Sequence, residues 1–355
     1  MKTINIGNFS INHDSKPYFV ADIAANHDGS IERAYKLIEL AKEAGADATK
    51  FQNFTAEKIV SDKGFNSLGS KFSHQKQWTK SVTEVYKDAS VPHSWTPLLK
   101  KKCDEVGIEY FTSPYDIDAV NAVDPYVRAY KIGSGDITWN DIIINIAKRG
   151  KPLMLATGAS SIEDVKRAVS LILQYNNDLI LMQCNTNYTA DIENLKFINL
   201  NVLKLYQELF PDLILGLSDH TPGYLTVLGA LALGARVIEK HFTDDKKRSG
   251  PDHKFSMSPA DWKEMVDRSN DLLQSLGDGV KRVEQNESET YIIQRRALRT
   301  TRKISKGEKI NKSDLFPTRP CLPDGIPPYD IGKILGKSTL KDLEKDDMLT
   351  YSDLE

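Results

Sequence analysis

The sequence predicts an α/β protein, a (β/α)8 TIM barrel followed by a small β-rich domain. Three observations carry this. Eight short apolar runs alternate with helical patterns between residues 18 and 242. Nearly every run turns polar at its C-terminal end. Beyond residue 296 the pattern changes to short strands, turn signals and a weak internal repeat. A chain of 355 residues has room for a barrel of about 250 residues with a small unit to spare.

The elements follow in order. Residues 1–12 read as a hairpin ahead of the barrel. The eight runs are 18–25, 48–52, 107–113, 127–134, 151–157, 178–185, 213–220 and 235–242. Ile31, Ala34, Tyr35, Leu37, Ile38 and Ala41 form one apolar face of a helix over 31–44, which Gly45 closes. Ser160-x-x-Glu163 reads as a capping box that opens the helix after the fifth run. Eight β units joined by helices suit a barrel or a doubly wound sheet, and eight is the barrel's own count. Rising polarity marks a linker, giving expected bounds of 1–283 for the barrel, 284–295 for the linker and 296–355 for the second domain. In the tail, Lys306-Gly307-Glu308-Lys309-Ile310 leads to Ser313-Asp314-Leu315, and Lys345-Asp346-Asp347-Met348-Leu349 leads to Ser352-Asp353-Leu354. Two copies suggest a pseudo-symmetric domain, too small to bury a large core alone.

Composition narrows the function. With 40% hydrophobic residues, 27% charged residues and a net charge of −2, nothing points to nucleic acid or to a polybasic membrane contact. Any positive field must be local. The three cysteines are far apart and form neither a disulfide framework nor a thiolate zinc site. The polar start shows no signal peptide, and the longest apolar stretch, Leu225 to Ala235, is too short to span a bilayer. The expectation is a cytoplasmic protein.

Polar residues in a barrel core are costly. Gathered at strand ends they make a site on the C-terminal face, where barrel enzymes hold their chemistry. Lys50 and Lys131 end the second and fourth runs, and a lysine at that depth calls for an anion. With Thr112, Ser113 and Ser134 they suit a phosphate and a carboxylate; the bland alternative is a pair of ion-paired rim lysines. His220 and His241 end the seventh and eighth runs, in phase with Ser218 and Glu239. Two converging imidazoles suit a divalent metal with open positions. One satisfied core histidine plus one cap is the rival reading, and no tight ligand spacing decides between them. His27 is a third candidate, although its turn equally reads as a loop feeding a helix cap. Asp22, Asp136, Asp219, Glu239 and Asp252 are candidates to grip sugar hydroxyls or move protons; the bland alternative, surface or lysine-paired carboxylates, should hold for some of them. Tyr188 either lines the pocket or packs a loop.

Taken together, Ala25-Asn26-His27-Asp28-Gly29, Lys50-Phe51-Gln52, Phe111-Thr112-Ser113-Pro114, Lys131-Ile132-Gly133-Ser134-Gly135-Asp136, Cys184-Asn185-Thr186-Asn187-Tyr188, Ser218-Asp219-His220, Glu239-Lys240-His241-Phe242 and Gly250-Pro251-Asp252-His253-Lys254 resemble the sialic-acid synthases. The tail resembles their antifreeze-like, or SAF, domain. The resemblance covers essentially the whole chain.

It implies a transferase that condenses phosphoenolpyruvate with N-acetylmannosamine or a related amino sugar, with C–O cleavage and release of phosphate. It implies a divalent metal, manganese first and magnesium or cobalt next, on His220 and His241. Lys50, Thr112, Lys131, Ser134 and Ser218 match phosphoenolpyruvate positions. Asp22, Gln52, Asp136, Tyr188 and Asp252 match positions near the sugar. Asp22, Lys50, Lys131, Asp136, His220 and His241 form the implied catalytic set. The resemblance also implies a homodimer in which the SAF domain caps the partner barrel and Arg319 reaches the sugar's N-acyl group.

There are departures. Asp22 and Asp136 stand where bacterial members usually carry glutamate, and the shorter arm either draws the sugar deeper or leaves space for a bulkier group; N-acetylmannosamine is the default, with the sugar of a legionaminic- or pseudaminic-type synthase, or another hexose, as the alternative. Ala156-Thr157-Gly158 replaces Ser-Thr-Gly, Asn185-Thr186 inverts the usual pair, and the segment after Arg319 is two residues longer. Two other readings compete: a 3-deoxy-ulosonate type of phosphoenolpyruvate-dependent synthase, and an inactive sugar-binding barrel.

Overall fold

The computed structural model describes residues 2–68, 78 and 80–355. They form two compact units, Met1–Gly277 and Asp278–Glu355. The first opens on an antiparallel hairpin of β1 (Ile4–Ile6) and β2 (Phe9–Ile11). Eight strands follow: β3 (Tyr18–Asp22), β4 (Ala48–Asn53), β5 (Glu109–Pro114), β6 (Tyr130–Ile132), β7 (Leu153–Ala156), β8 (Leu179–Cys184), β9 (Ile214–Asp219) and β10 (Val237–His241). Each falls on one of the eight apolar runs. They close as a parallel barrel in the order β10-β3-β4-β5-β6-β7-β8-β9.

Helices from the intervening segments cover the outside. Ser30 caps the helix Ile31–Glu43, which buries Ala34, Leu37, Ile38 and Ala41. Gly45, at φ +93°, takes the left-handed turn that follows it. The helix Ile162–Leu173 begins one residue later than the capping box expected from sequence. Ser161 is its N-cap and Asp164 closes the box. Ser160 is drawn instead into the preceding turn, where its hydroxyl donates to the Gly158 carbonyl. The barrel interior is packed rather than hollow. A side chain on Gly216 would meet the Val237 carbonyl at 2.8 Å and Met182 at 3.0 Å, so the bare glycine makes room for Met182.

In the second unit the segment expected as a linker holds the short helix Ser288–Ile293. Antiparallel β11 (Ala297–Thr300) and β12 (Leu315–Thr318) follow. A small core gathers Leu298, Ile304, Ile310, Ile326, Ile334, Leu343 and Leu349. The internal repeat is real in geometry. Gly307 and Asp346, matched in the two copies, both take positive φ. Each copy then enters a 3-10 turn through a capping box, closed by the buried Asp314 in one and the buried Asp353 in the other.

Candidate active site

Strand periodicity sorts the polar strand ends into two sets. Asp22 pairs in register with Lys50, and Glu239 with Ser218, so these four share the inner face. Their side chains meet. Lys50 Nζ lies 2.6 Å from Asp22 Oδ2 and 3.9 Å from Glu239 Oε1. Lys131 Nζ lies 2.8 Å from the same Glu239 oxygen, and the Ser218 hydroxyl donates to it at 3.0 Å. All of these groups are buried. Burial opposes charge on Lys50, but Asp22 and Glu239 outweigh it and raise its pKa. Burial likewise opposes charge on Glu239, yet Lys131 and Lys50 hold its carboxyl at about 2. Two ammonium groups are thus balanced by carboxylates. Among the described residues Glu239 Oε2 has no hydrogen-bond partner and is buried, the kind of orphan that a ligand, ion or water satisfies.

The outer-facing set behaves differently. Asp219 and Lys240 are neighbours in register, pair with each other and are completed by Thr221 and Thr226. Asp219, a candidate sugar carboxylate by sequence, is therefore the lysine-paired kind. In β5 the Thr112 hydroxyl donates to Asn53 Oδ1 at 2.7 Å, and Asn53 reaches Thr96 on the helix Thr96–Val106 behind the sheet. Ser113, in register with Gln52, keeps a buried hydroxyl with no partner among the described residues. Of the two neighbours, Ser113 is the one left with bonding capacity to offer.

His220 and His241 come together with their ring centroids 5.4 Å apart. Burial, and then His241, push His220 down to about 3; burial, and then Lys50, push His241 down to about 3. Both are neutral near pH 7, the ligating form of imidazole. His220 Nδ1 is tied to the Asn185 carbonyl at 2.9 Å. His241 Nε2 stands 3.5 Å from Asp22 Oδ2; its buried Nδ1 has no hydrogen-bond partner among the described residues and lies 3.8 Å from Asp252 Oδ2. This donor set fits a divalent cation. Among the described residues no cluster of three or more His, Cys, Asp or Glu supplies a fuller cage. His27 belongs to the loop instead: Nε2 pairs with the Ala89 carbonyl and Nδ1 accepts from Gly29 N–H.

Around the histidines, Tyr188 packs at 4.4 Å from His220, and Phe255 edges onto His241 at 4.8 Å between centroids. Tyr188 and Phe255 also line a cavity of about 1120 Å³ that runs out past Gly29, Asp191 and Lys254. Asp252 accepts from Ala25 N–H, and burial pushes its carboxyl up to about 7. Asp136 sits in the turn Ser134–Thr138, where burial raises it to about 6. Ser134 Oγ accepts from Gly158 N–H at 2.9 Å. Arg319 is exposed in the second unit. Phe255 is a site residue that the sequence motifs do not include: it stands directly after the one that ends at Lys254, and its position three residues beyond Asp252 is the only signal for it.

The NeuB family profile matches residues 37–281, and the SAF domain profile matches residues 295–355. A pseudaminic acid synthase of Campylobacter jejuni is 35% identical over 357 residues, covering 99% of this chain and 99% of the relative. An N,N'-diacetyllegionaminic acid synthase of the same species is 32% identical over 341 residues, covering 94% and 99%. The crystal structure of an N-acetylneuraminic acid synthetase from Leptospira borgpetersenii superposes with a TM-score of 0.71 at 26% identity, covering 81% of this chain and 95% of that one.

Proposed function

The chain belongs to the NeuB family, and on that premise we propose that it is a nonulosonic acid synthase, joining phosphoenolpyruvate to an N-acylated amino sugar and releasing phosphate. One observation carries the reading: two buried lysines converge on Glu239 within the barrel that also brings His220 and His241 together.

Phosphoenolpyruvate carries a phosphate and a carboxylate. Lys50 and Lys131 would hold them in place of their present carboxylate partners, with Ser113, Ser134 and Ser218 donating hydroxyls; Thr112, matched by family resemblance, donates instead to Asn53 and takes no part in this reading. The open-chain sugar would lie toward Asp22, Gln52, Asp136, Tyr188 and Asp252, its aldehyde at the histidines. C3 of phosphoenolpyruvate bonds to the aldehyde carbon, and the aldehyde oxygen takes a proton. The electron deficiency at C2 is met by water, which loses a proton. The C2–O bond then breaks, and phosphate leaves with the bridging oxygen. Asp136, raised to about 6, is suited to exchange a proton near neutrality. A divalent cation on His220 and His241, manganese by resemblance, would supply Lewis-acid polarisation of the aldehyde.

The sugar is N-acetylmannosamine or a diacetamido-trideoxyhexose. The shorter Asp22 and Asp136 favour the bulkier one, and the two Campylobacter relatives support it. We further assign a homodimer in which the SAF domain caps the partner barrel and Arg319 meets the sugar in trans. Among the described residues no helix is long and apolar enough to cross a membrane; the cytoplasmic location is carried over from the sequence reading as part of the proposal. Phosphate release from phosphoenolpyruvate, measured with manganese and each sugar in turn, tests the reading. Release with either amino sugar supports it, and release only with a phosphorylated aldose favours the 3-deoxy-ulosonate alternative.

A further inference from the structure

Asp252 and Phe255 reach the histidines from the segment between β10 and the helix Pro259–Leu276, whose regular structure is one 3-10 turn, His253–Phe255, and a bridge between Phe242 and Met257. Something must hold so irregular a segment against the mouth. His253 lies between the two residues and is fully buried. Its Nε2–H donates to Asp28 Oδ1 at 2.8 Å, and its Nδ1 pairs with the Thr243 hydroxyl at 2.7 Å. Asp28 belongs to the turn after β3 and has its own φ of +50°. It is braced by Arg33 at 3.0 Å and Arg248 at 2.9 Å. Gly250 lets the chain pass flat over the imidazole, since a Cβ there would lie 2.7 Å from His253 Cδ2.

We infer that His253 is a positioning residue for the acceptor sugar: by bridging Thr243 and Asp28 it pins the 250–256 segment and thereby sets Asp252 and Phe255 beside His241. The inference rests on the reading that Asp252 faces the sugar. It separates the two substrates, because Lys50, Lys131 and Ser218 stand on the strands and take their direct partners, Asp22 and Glu239, from other strands; Asp252 adds only a longer-range charge interaction with Lys50.

The test has two arms. In the first, His253→Ala raises the KM for the sugar on the order of tenfold to a hundredfold and leaves the phosphoenolpyruvate KM unchanged. His253→Gln, which keeps a donor for Asp28, recovers much of the loss. The second arm needs no turnover. Amide hydrogen exchange over 250–257 speeds up in His253→Ala on the order of tenfold or more, while the barrel strands keep their protection. Asp28→Asn gives the same local pattern if the alanine variant does not fold. Equal loss for both substrates without rescue by glutamine overturns the inference, as does unchanged exchange in the segment. A wild-type protein inactive on every sugar would defeat the synthase reading alone, and the exchange arm would still decide the strap.

Discussion

Lys131 Nζ and Glu239 Oε1 meet at 2.8 Å across the lumen, joining β6 and β10, which stand on opposite sides of the eight-stranded ring. The contact leaves Lys131 paired with a carboxylate. A phosphate bound there, as proposed, would have to compete with Glu239.

Lys131→Ala should weaken phosphoenolpyruvate. A charge-assisted contact contributes about 1.5–3 kcal/mol, so KM should rise tens to hundreds of fold, read from steady-state kinetics at saturating sugar. The variant should also melt earlier, because Glu239 keeps only the Ser218 hydroxyl and, of its two cations, the longer 3.9 Å contact to Lys50. Normal KM and kcat with a lowered Tm would make the lysine a structural partner of Glu239 and nothing more.

Glu239→Gln should have the opposite effect on simple anions. With the carboxylate gone, Lys50 and Lys131 are under-neutralised, and inorganic phosphate should bind more tightly, on the order of tenfold or about 1.4 kcal/mol. Calorimetric titration measures this directly. An unchanged affinity would mean that the carboxylate does not compete for the lysines.

Chelation should abolish turnover, and manganese should restore it. His241→Ala should lose most activity at any metal concentration that saturates the wild type, since a site with two protein ligands cannot spare one. Full turnover after exhaustive chelation would remove the metal from the account.

Asp136 ties stability to pH. Its carboxyl is raised from 3.8 to about 6, so the folded state binds more protons than the unfolded state between those values. The group's contribution is therefore most favourable below pH ~4 and is lost as pH rises through ~6. Asp136→Asn should be more stable than wild type at pH 7–8, on the order of 1–2 kcal/mol after allowing for partial solvent access. The difference should vanish near pH 4. Denaturant melts at the two pH values check both the sign and the window.

The barrel was legible because all eight strands are apolar runs with polar ends, and because helix signals such as Ser30 and Gly45 stand where the chain uses them. What the pattern could not give was direction. In strands buried on both faces, adjacent polar residues such as Thr112 and Ser113, or Ser218 and Asp219, look alike. Only register tells that Thr112 turns to Asn53 while Ser113 is left without a partner among the described residues, and that Asp219 pairs with Lys240 behind the sheet. The capping box slipped by one residue for a similar reason, since Ser160 and Ser161 are chemically equal and the turn at Gly158 chose between them.

Assembly has its own test. Mixed Arg319→Ala and His241→Ala proteins should regain part of the lost activity after subunit exchange, because a heterodimer holds one intact composite site. Exchange demonstrated by sedimentation or mass labelling, with no activity regained, would place the arginine in cis or outside the site.

The central claim is carbon–carbon bond formation with C–O cleavage of phosphoenolpyruvate, and the fate of the bridging oxygen tests it most directly. Phosphoenolpyruvate labelled with 18O at the C2–O–P position, turned over with an amino sugar and manganese in unlabelled water, should place the label in the released phosphate and an unlabelled oxygen at C2 of the nonulosonic acid. Label retained in the organic product, or labelled phosphate released at the same rate without any sugar, would contradict the account.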